Sequence, residues 1–263
     1  MIKKNLLLLM CVVASLMSLT SCFKDTGFSQ TMDFARVVTI DRNATPLKLV
    51  ADYTGQTFQL DNLTRPEQLS IYGLENADRA IVALHYEVDA EFNASMVITG
   101  GKPIKVAPVW NKPLPKTEDI NPLIDLYKME LDSWSYPLIW TAGKYLNVAP
   151  VIHSAGLGTY YLEPVDVYGD TLRFDMTAEY KLNTENKDLV DFINFDLSTL
   201  ADTVGADAKS KSAVERMLGT IESNDSVCIM LVGSYLTTGR LGNDTIVKWP
   251  IYTSYTGALK SIF

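Results

Sequence analysis

Alternation of apolar and polar residues with a period of two dominates this chain. From Arg79 to Val88 apolar side chains occupy every second position, while Arg79 and His85 fall on the opposite face, and residues 171–182 repeat the pattern over a longer stretch. A period of two places successive side chains on opposite faces of a β-strand. The pattern therefore predicts antiparallel sheets with one buried and one solvated face.

The first half of the chain predicts a small β-barrel. Strand-like runs at 34–40, 47–52 and 57–60 precede the Arg79–Val88 strand, and runs at 95–99 and 103–110 flank an expected turn at Gly100 and Gly101. Several short strands with turns between them are typical of small closed barrels. We therefore predict a barrel domain over residues 33–112.

The second half predicts a β-sandwich with one short helix. Prolines and charged residues at 111–121 interrupt the periodicity and predict a domain boundary. Strand-like runs follow at 144–152, 159–167, 171–182, 192–197, 226–232 and 245–252. Apolar residues at helical spacing predict a helix over 211–221, whereas 124–131 suits either a helix or a strand. The sequence therefore predicts an antiparallel sandwich over 122–263.

The N-terminus carries the pattern of a lipoprotein signal. Lys3 and Lys4 precede an apolar stretch over 5–19, which ends in small residues before Cys22. We predict a signal peptide over 1–21, acylation of Cys22 and a short tether over 22–32. The alternative is an ordinary secretory signal in which Cys22 is incidental. The predicted location is the cell envelope, at the outer membrane, on either its periplasmic or its surface side.

The charge of the chain argues against a nucleic-acid partner. The sequence has 23 basic and 31 acidic residues, a formal net charge of -8, and no run rich in Lys or Arg. Phosphate binding needs a concentrated basic surface. Attachment to an anionic membrane surface must likewise depend on the lipid at Cys22.

The cysteines predict no disulfide in the mature chain. Cys11 is removed with the signal and Cys22 is consumed by lipid, so Cys228 has no partner. Cys228 lies in the apolar run 227–232, which predicts a strand buried on both faces. A small core residue is the ordinary interpretation, and a reactive thiol is the alternative.

Candidate catalytic residues are few. His85 and His153 are the two histidines, and neither shows metal-ligand spacing with Cys228 or with acidic residues. We therefore predict that the protein is not an enzyme and holds neither a metal nor an organic cofactor. His85, His153 and Cys228 are the residues from which the fold could still assemble a hidden site.

Aromatic residues indicate where a ligand could bind. Trp134, Tyr136, Trp140 and Tyr145 cluster at the start of the second half. Aromatics at strand spacing usually fill a core. The alternative is a platform for a protein or glycan partner, since aromatics are favoured at contact surfaces.

Four segments resemble the NigD-like lipoproteins of Bacteroidetes: 57–62, 79–86, 140–148 and 194–197. The resemblance covers nearly the whole mature chain and implies an N-terminal OB-type domain followed by a C-terminal β-sandwich. It also implies an envelope lipoprotein that binds a protein partner and has an immunity-like role, and it carries over no catalytic residues. A glycan-binding accessory lipoprotein is the alternative.

Overall fold

The computed structural model describes residues 29–112, 120–154, 156–181, 188–238 and 244–256. The predicted signal peptide, Cys22 and the first part of the tether lie outside the described residues, as do Pro113 and Pro115. The end of the predicted tether is strand, because the first strand begins at Gln30.

Five strands and one 3₁₀ helix form the N-terminal unit. They are β1 (Gln30–Asp41), β2 (Lys48–Ala51), β3 (Thr57–Gln59), the 3₁₀ helix Pro66–Tyr72, β4 (Arg79–Val88) and β5 (Ala94–Pro103). The strands form one antiparallel sheet in the order β3-β2-β1-β4-β5. Apolar residues at alternate positions, such as Val38, Leu49, Phe58 and Val82, fill one core.

The two ends of this sheet are joined by the segment that follows β3. The backbone N–H of Asp61 donates to the carbonyl of Met96 on β5 (2.9 Å). The Asn62 amide donates to the Ile98 carbonyl (2.8 Å) and to the Tyr72 hydroxyl (2.8 Å), and its carbonyl accepts from the Ile98 N–H (3.0 Å). The sheet therefore curls into a small barrel, and the predicted mainly-β fold is confirmed.

We expect Asn62→Ala to lower the free energy of unfolding by about 1–3 kcal/mol, because it leaves two backbone groups of Ile98 without their partner. Urea denaturation measures the change. Asn43→Ala is the matched control, since Asn43 is exposed in the loop between β1 and β2 and should change stability by less than about 0.5 kcal/mol. Equal losses in both variants would show that Asn62 does not close the barrel.

The predicted turn at Gly100 and Gly101 is wrong, because β5 continues through both glycines. A bulge displaces the pairing there, so that Ala83 faces Gly100 while Leu84 faces Ile98. A Cβ atom at Gly101 would lie 2.6 Å from Cδ1 of the buried Leu74. The glycine thus allows close packing against a strand and does not mark its end.

The remaining elements form the C-terminal unit. They are β6 (Lys105–Pro108), β7 (Ile120–Asn121), β8 (Asp125–Leu126), β9 (Glu130–Leu131), β10 (Trp134–Ser135), β11 (Ile139–Ala142), β12 (Tyr145–Val148), β13 (Pro150–Ile152), β14 (Thr159–Tyr168), β15 (Thr171–Glu179), β16 (Leu189–Val190), β17 (Ile193–Asp196), the 3₁₀ helix Leu197–Ala201, α1 (Ala208–Ser223), β18 (Ser226–Thr238) and β19 (Asp244–Thr256). Two larger sheets, β11-β12-β17-β6 and β14-β15-β18-β19, supply most of its core.

The helix α1 confirms the predicted helix over 211–221 and extends it at both ends. Its N-terminus is capped by Asp207, whose carboxylate accepts from the N–H of Ser210 (2.7 Å). Val214, Met217 and Ile221 pack into the sandwich core. The segment 124–131 contains the short strands β8 and β9 and no helix.

Two strand pairs in the sandwich are parallel, whereas the sequence predicts only antiparallel pairs. β15 pairs in parallel with β18, and β17 pairs in parallel with β6. α1 lies in the connection from β15 to β18, which provides the long crossover that this parallel pair needs. Cys228 on β18 is half-buried, while Val227 and Ile229 lie in the core. The strand is thus covered more fully on one face than on the other.

The strands of the C-terminal unit begin just after Ile104, before the predicted boundary at 111–121. β6 belongs by sequence to the predicted barrel domain, yet it pairs with β17 of the sandwich. Asn111 is also tied to the sandwich, where its amide donates to the Leu200 carbonyl (2.7 Å). The domain limits of 33–112 and 122–263 stay a prediction, but this pairing attaches residues 105–111 to the sandwich.

Candidate functional site

A buried ion pair lies where the barrel meets the sandwich. Arg79, the first residue of β4, forms two parallel hydrogen bonds of 2.6 Å with the carboxylate of Asp52, which follows β2. The two side chains are 0% and 1% exposed. Thr39 lies directly opposite Arg79 in the β1–β4 ladder, and its hydroxyl accepts a third bond (2.8 Å). The barrel therefore supplies both charges of the pair.

The sandwich supplies polar groups from a row that crosses three neighbouring strands. Trp140 on β11 faces Asn147 on β12, and Asn147 faces Asn194 on β17. The indole N–H of Trp140 donates to Asp52 (2.8 Å). The carbonyls of Asn147 and Asn194 accept from Arg79 at 2.8 and 2.9 Å. One row of side chains in the sandwich sheet thus completes the hydrogen bonding of the pair.

The hydrogen-bonding capacity of Arg79 is fully used. A guanidinium has five N–H donors, and its five bonds go to Asp52 twice and to Thr39, Asn147 and Asn194 once each. The ring of Tyr145 lies 5.0 Å from the guanidinium carbon. A ligand would have to break these bonds to reach Arg79. This cluster therefore joins the two units, and we call it the junction: Thr39, Asp52, Arg79, Trp140, Asn147 and Asn194.

Three of the four segments that carry the NigD-like resemblance meet at the junction. Arg79 comes from 79–86, Trp140 and Asn147 come from 140–148, and Asn194 comes from 194–197. The segments that resemble NigD-like proteins thus contain several of the residues that join the two units. Asp52 belongs to none of these segments, and its role appears only in the structure.

A cleft of about 700 Å³ opens beside the junction, between residues 39–43 and 50–55 of the barrel and 141–143 of the sandwich. Its most prominent cation is Arg42, which donates to the carbonyls of Leu74 (2.9 Å) and Ala77 (2.7 Å) and lies 3.9 Å from Asp78. These bonds within the protein already engage the guanidinium.

Three of the four aromatic residues predicted as a possible binding surface are buried. Tyr136, Trp140 and Tyr145 are between 2% and 3% exposed. Trp140 stacks on Phe192 with ring centroids 5.5 Å apart and lies 4.9 Å from the ring of Tyr136. These residues pack between the barrel and the sandwich, which agrees with the core interpretation for them. Trp134 alone of the four is exposed at the surface.

Trp134 forms an exposed patch with the start of β1. The guanidinium of Arg36 lies between two rings, 4.8 Å from the centroid of Phe34 and 4.8 Å from that of Trp134. Met32 is exposed on the same face of β1. The turn between β9 and β10 is fixed to this strand, because the carboxylate of Asp132 accepts from the N–H of Ala35. We call Met32, Phe34, Arg36 and Trp134 the Trp134 patch.

The candidate residues of a hidden catalytic site lie on separate elements. His85 on β4 bonds Asp33 on β1 (2.8 Å), and His153 bonds Asp188 (3.0 Å). Cys228 lies on β18. Within the described ranges no group of three or more His, Cys, Asp or Glu side chains is arranged to hold a metal ion.

Comparison with known proteins gives matches among solved structures. No family model and no curated protein matches the sequence. A candidate lipoprotein from Bacteroides fragilis matches with a TM-score of 0.54 and 11% identity, over 86% of this chain and 100% of that one. A candidate toxin-related protein from Parabacteroides distasonis matches with a TM-score of 0.50 and 14% identity, over 88% and 96% of the two chains.

A NigD-like immunity protein from Bacteroides caccae also matches, with a TM-score of 0.47 and 14% identity, over 86% of this chain and 98% of that one. A NigD-like immunity protein and a candidate lipoprotein thus stand among the matching solved structures. At such low identity the likeness to the first two structures shows a shared fold.

These three structures are described as lipoprotein, toxin-related and immunity proteins, and none of the three is described as an enzyme. In the part of the chain that the structure describes, the one α-helix and the 3₁₀ helices lack the length and apolar character that crossing a bilayer requires.

Proposed function

We propose that this protein is a lipid-anchored envelope protein that binds a protein partner through the Trp134 patch and does not act by catalysis. The main support for this proposal is the exposed ring of Trp134. It lies beside Arg36, whose guanidinium is held between the rings of Phe34 and Trp134. Trp, Arg and Met are enriched at protein interfaces, and Trp and Arg dominate their binding energy.

The ordering of Arg36 favours binding, because little conformational entropy remains to be lost when a partner engages it. Its guanidinium Nη1 donates to the carbonyl of Ala35 (2.5 Å), which leaves other N–H groups for a partner. A partner with a carboxylate or an exposed carbonyl beside an apolar surface would match this arrangement.

The position of the patch suggests where the partner is found. Met32 follows Cys22 by ten residues, and ten extended residues span at most about 35 Å. If Cys22 carries lipid, the patch stays close to the membrane surface. We propose a partner that is itself held at, or crosses, the outer membrane. The NigD-like resemblance adds an immunity-like role, in which the partner would be a toxin that reaches this membrane.

Site-specific photocrosslinking in intact cells tests the proposal. A photoreactive phenylalanine analogue at Met32 is expected to give one discrete adduct with another protein. Trp134→Ala should weaken binding about thirtyfold and reduce the adduct yield accordingly, since a central interface tryptophan contributes about 2 kcal/mol. The same analogue at Tyr168, exposed at the C-terminal end of β14, is the control. No adduct from Met32, or the same adduct from both positions, would contradict the proposal.

A further inference from the structure

A separate cavity of about 350 Å³ opens between the segment at the start of β8 and the β18–β19 hairpin. It is lined by Ile124, Asp125, Tyr235, Thr237, Trp249 and Ile251. Its volume is at the small end of the range in which proteins bind small molecules. None of these residues belongs to the Trp134 patch, so the cavity is independent of the proposed protein-binding surface.

Trp249 presents an open aromatic surface at this cavity. It faces Gly233 across the β18–β19 ladder, and Ile251, two positions further along β19 on the same face, packs against the sandwich core. Trp249 itself is 57% exposed. A large aromatic side chain that remains exposed beside a concavity is a common sign of a contact site.

Tyr235, which lines the same cavity, carries a buried hydroxyl that is not used in hydrogen bonding within the described part of the chain. The residue is 5% exposed, and its hydroxyl has no hydrogen-bond partner among the described residues. The phenol lies over Gly233, where a Cβ atom would come within 2.8 Å of the Tyr235 hydroxyl oxygen. The glycine thus makes room for the hydroxyl on the face that carries Trp249. Buried hydroxyls are normally paired, so this one indicates a missing partner.

Asp125 determines the charge of the cavity. Its side chain is exposed, and one carboxylate oxygen accepts from the N–H of Leu126 (2.7 Å). Burial raises the pKa of Tyr235 to about 12, and the negative charge of Asp125 acts in the same direction. Near neutral pH the cavity therefore combines a protonated phenol with a carboxylate, which disfavours anionic ligands.

We propose that this cavity binds one pyranose ring of a neutral glycan. The C–H face of the sugar lies on the indole of Trp249, and its hydroxyls bond to the Tyr235 hydroxyl and to the carboxylate of Asp125. A wholly apolar ligand would leave the Tyr235 hydroxyl unpaired, and an anion would be repelled by Asp125. A neutral sugar has both an apolar face and hydroxyl groups, so it matches all three side chains.

Glycan-array screening of the full mature protein, followed by calorimetric titration of each array hit, tests the proposal. The lipidated protein should be held in a detergent without a sugar headgroup, and the array should carry neutral plant, host and microbial oligosaccharides. We expect at least one of these oligosaccharides to bind. Trp249→Ala should weaken its binding at least tenfold, and Tyr235→Phe should weaken it about fivefold.

Tyr252→Ala is the matched control, because Tyr252 is exposed on the same strand but on the opposite face of the sheet. It should leave glycan binding unchanged. Tyr235→Phe should also keep the wild-type melting temperature, since the hydroxyl it removes has no partner among the described residues. The proposal is overturned if no neutral glycan binds, if Trp249→Ala binds as well as the wild type, or if Tyr235→Phe melts several degrees lower and thereby shows a structural role.

Discussion

Arg79→Ala is expected to lower the free energy of unfolding by about 3–5 kcal/mol, the usual cost of removing one partner from a buried ion pair. The loss is large because Asp52 stays buried without its cation, while Thr39, Asn147 and Asn194 each lose a donor. The pair joins the barrel to the sandwich. In the variant the two units should therefore unfold at different urea concentrations. Urea denaturation, followed by tryptophan fluorescence and by circular dichroism, measures both effects.

Arg216→Ala is the matched control for this experiment. Arg216 on α1 forms an ion pair with Asp166 at 3.0 Å, but both side chains are more than a third exposed. Exposed pairs of this kind contribute about 0–1 kcal/mol. If Arg79→Ala cost no more than Arg216→Ala, the junction would not be what holds the two units together.

Cys22→Ala is expected to abolish retention of the protein by membranes. Each buried methylene of an acyl chain contributes about 0.8 kcal/mol, and stable anchoring needs more than one lipid chain or an added electrostatic attraction. The chain has a net charge of -8, so an anionic membrane surface offers no second attraction once the lipid is lost. Fractionation of cells into membrane and soluble material, with immunoblotting, measures the change.

Cys11→Ala is the control, because Cys11 belongs to the predicted signal peptide and should be absent from the mature protein. That variant should fractionate with membranes as the wild type does. Normal cleavage combined with unchanged retention of Cys22→Ala would instead favour the alternative of an ordinary secretory signal.

The sequence predicts the strands well because alternation is a local property. The stretch from Arg79 to Val88 matches β4 at both ends, and the predicted core residues Val82 and Leu84 are buried. The glycines at 100 and 101 mislead because a glycine required by close packing has the same local appearance as one required by a turn. The parallel pairing of β15 with β18 depends on a crossover, which alternation does not encode.

The junction is harder to predict from sequence. Alternation places Arg79 on the polar face of its strand, where solvent is the expected neighbour. The sandwich covers Arg79 instead, while Ala83 and Glu87 on the same face stay exposed. One signal was present: Arg79, Trp140, Asn147 and Asn194 all lie within segments that resemble NigD-like proteins. Tyr235 and Trp249 gave no comparable signal, because their common cavity forms only when β18 pairs with β19 and Asp125 lies beside them.

The hydrogen bond between Arg79 and Asn194 joins residues that are 115 positions apart in the chain. Synthesis proceeds from the N-terminus, so all five barrel strands exist before the residues that complete the environment of Arg79. Until β17 is synthesised and packs against the barrel, the side chains of Arg79 and Asp52 face water. Contacts so distant in sequence form late and slow the overall reaction. The barrel therefore cannot complete the environment of Arg79 until β17 has been synthesised and has packed against it.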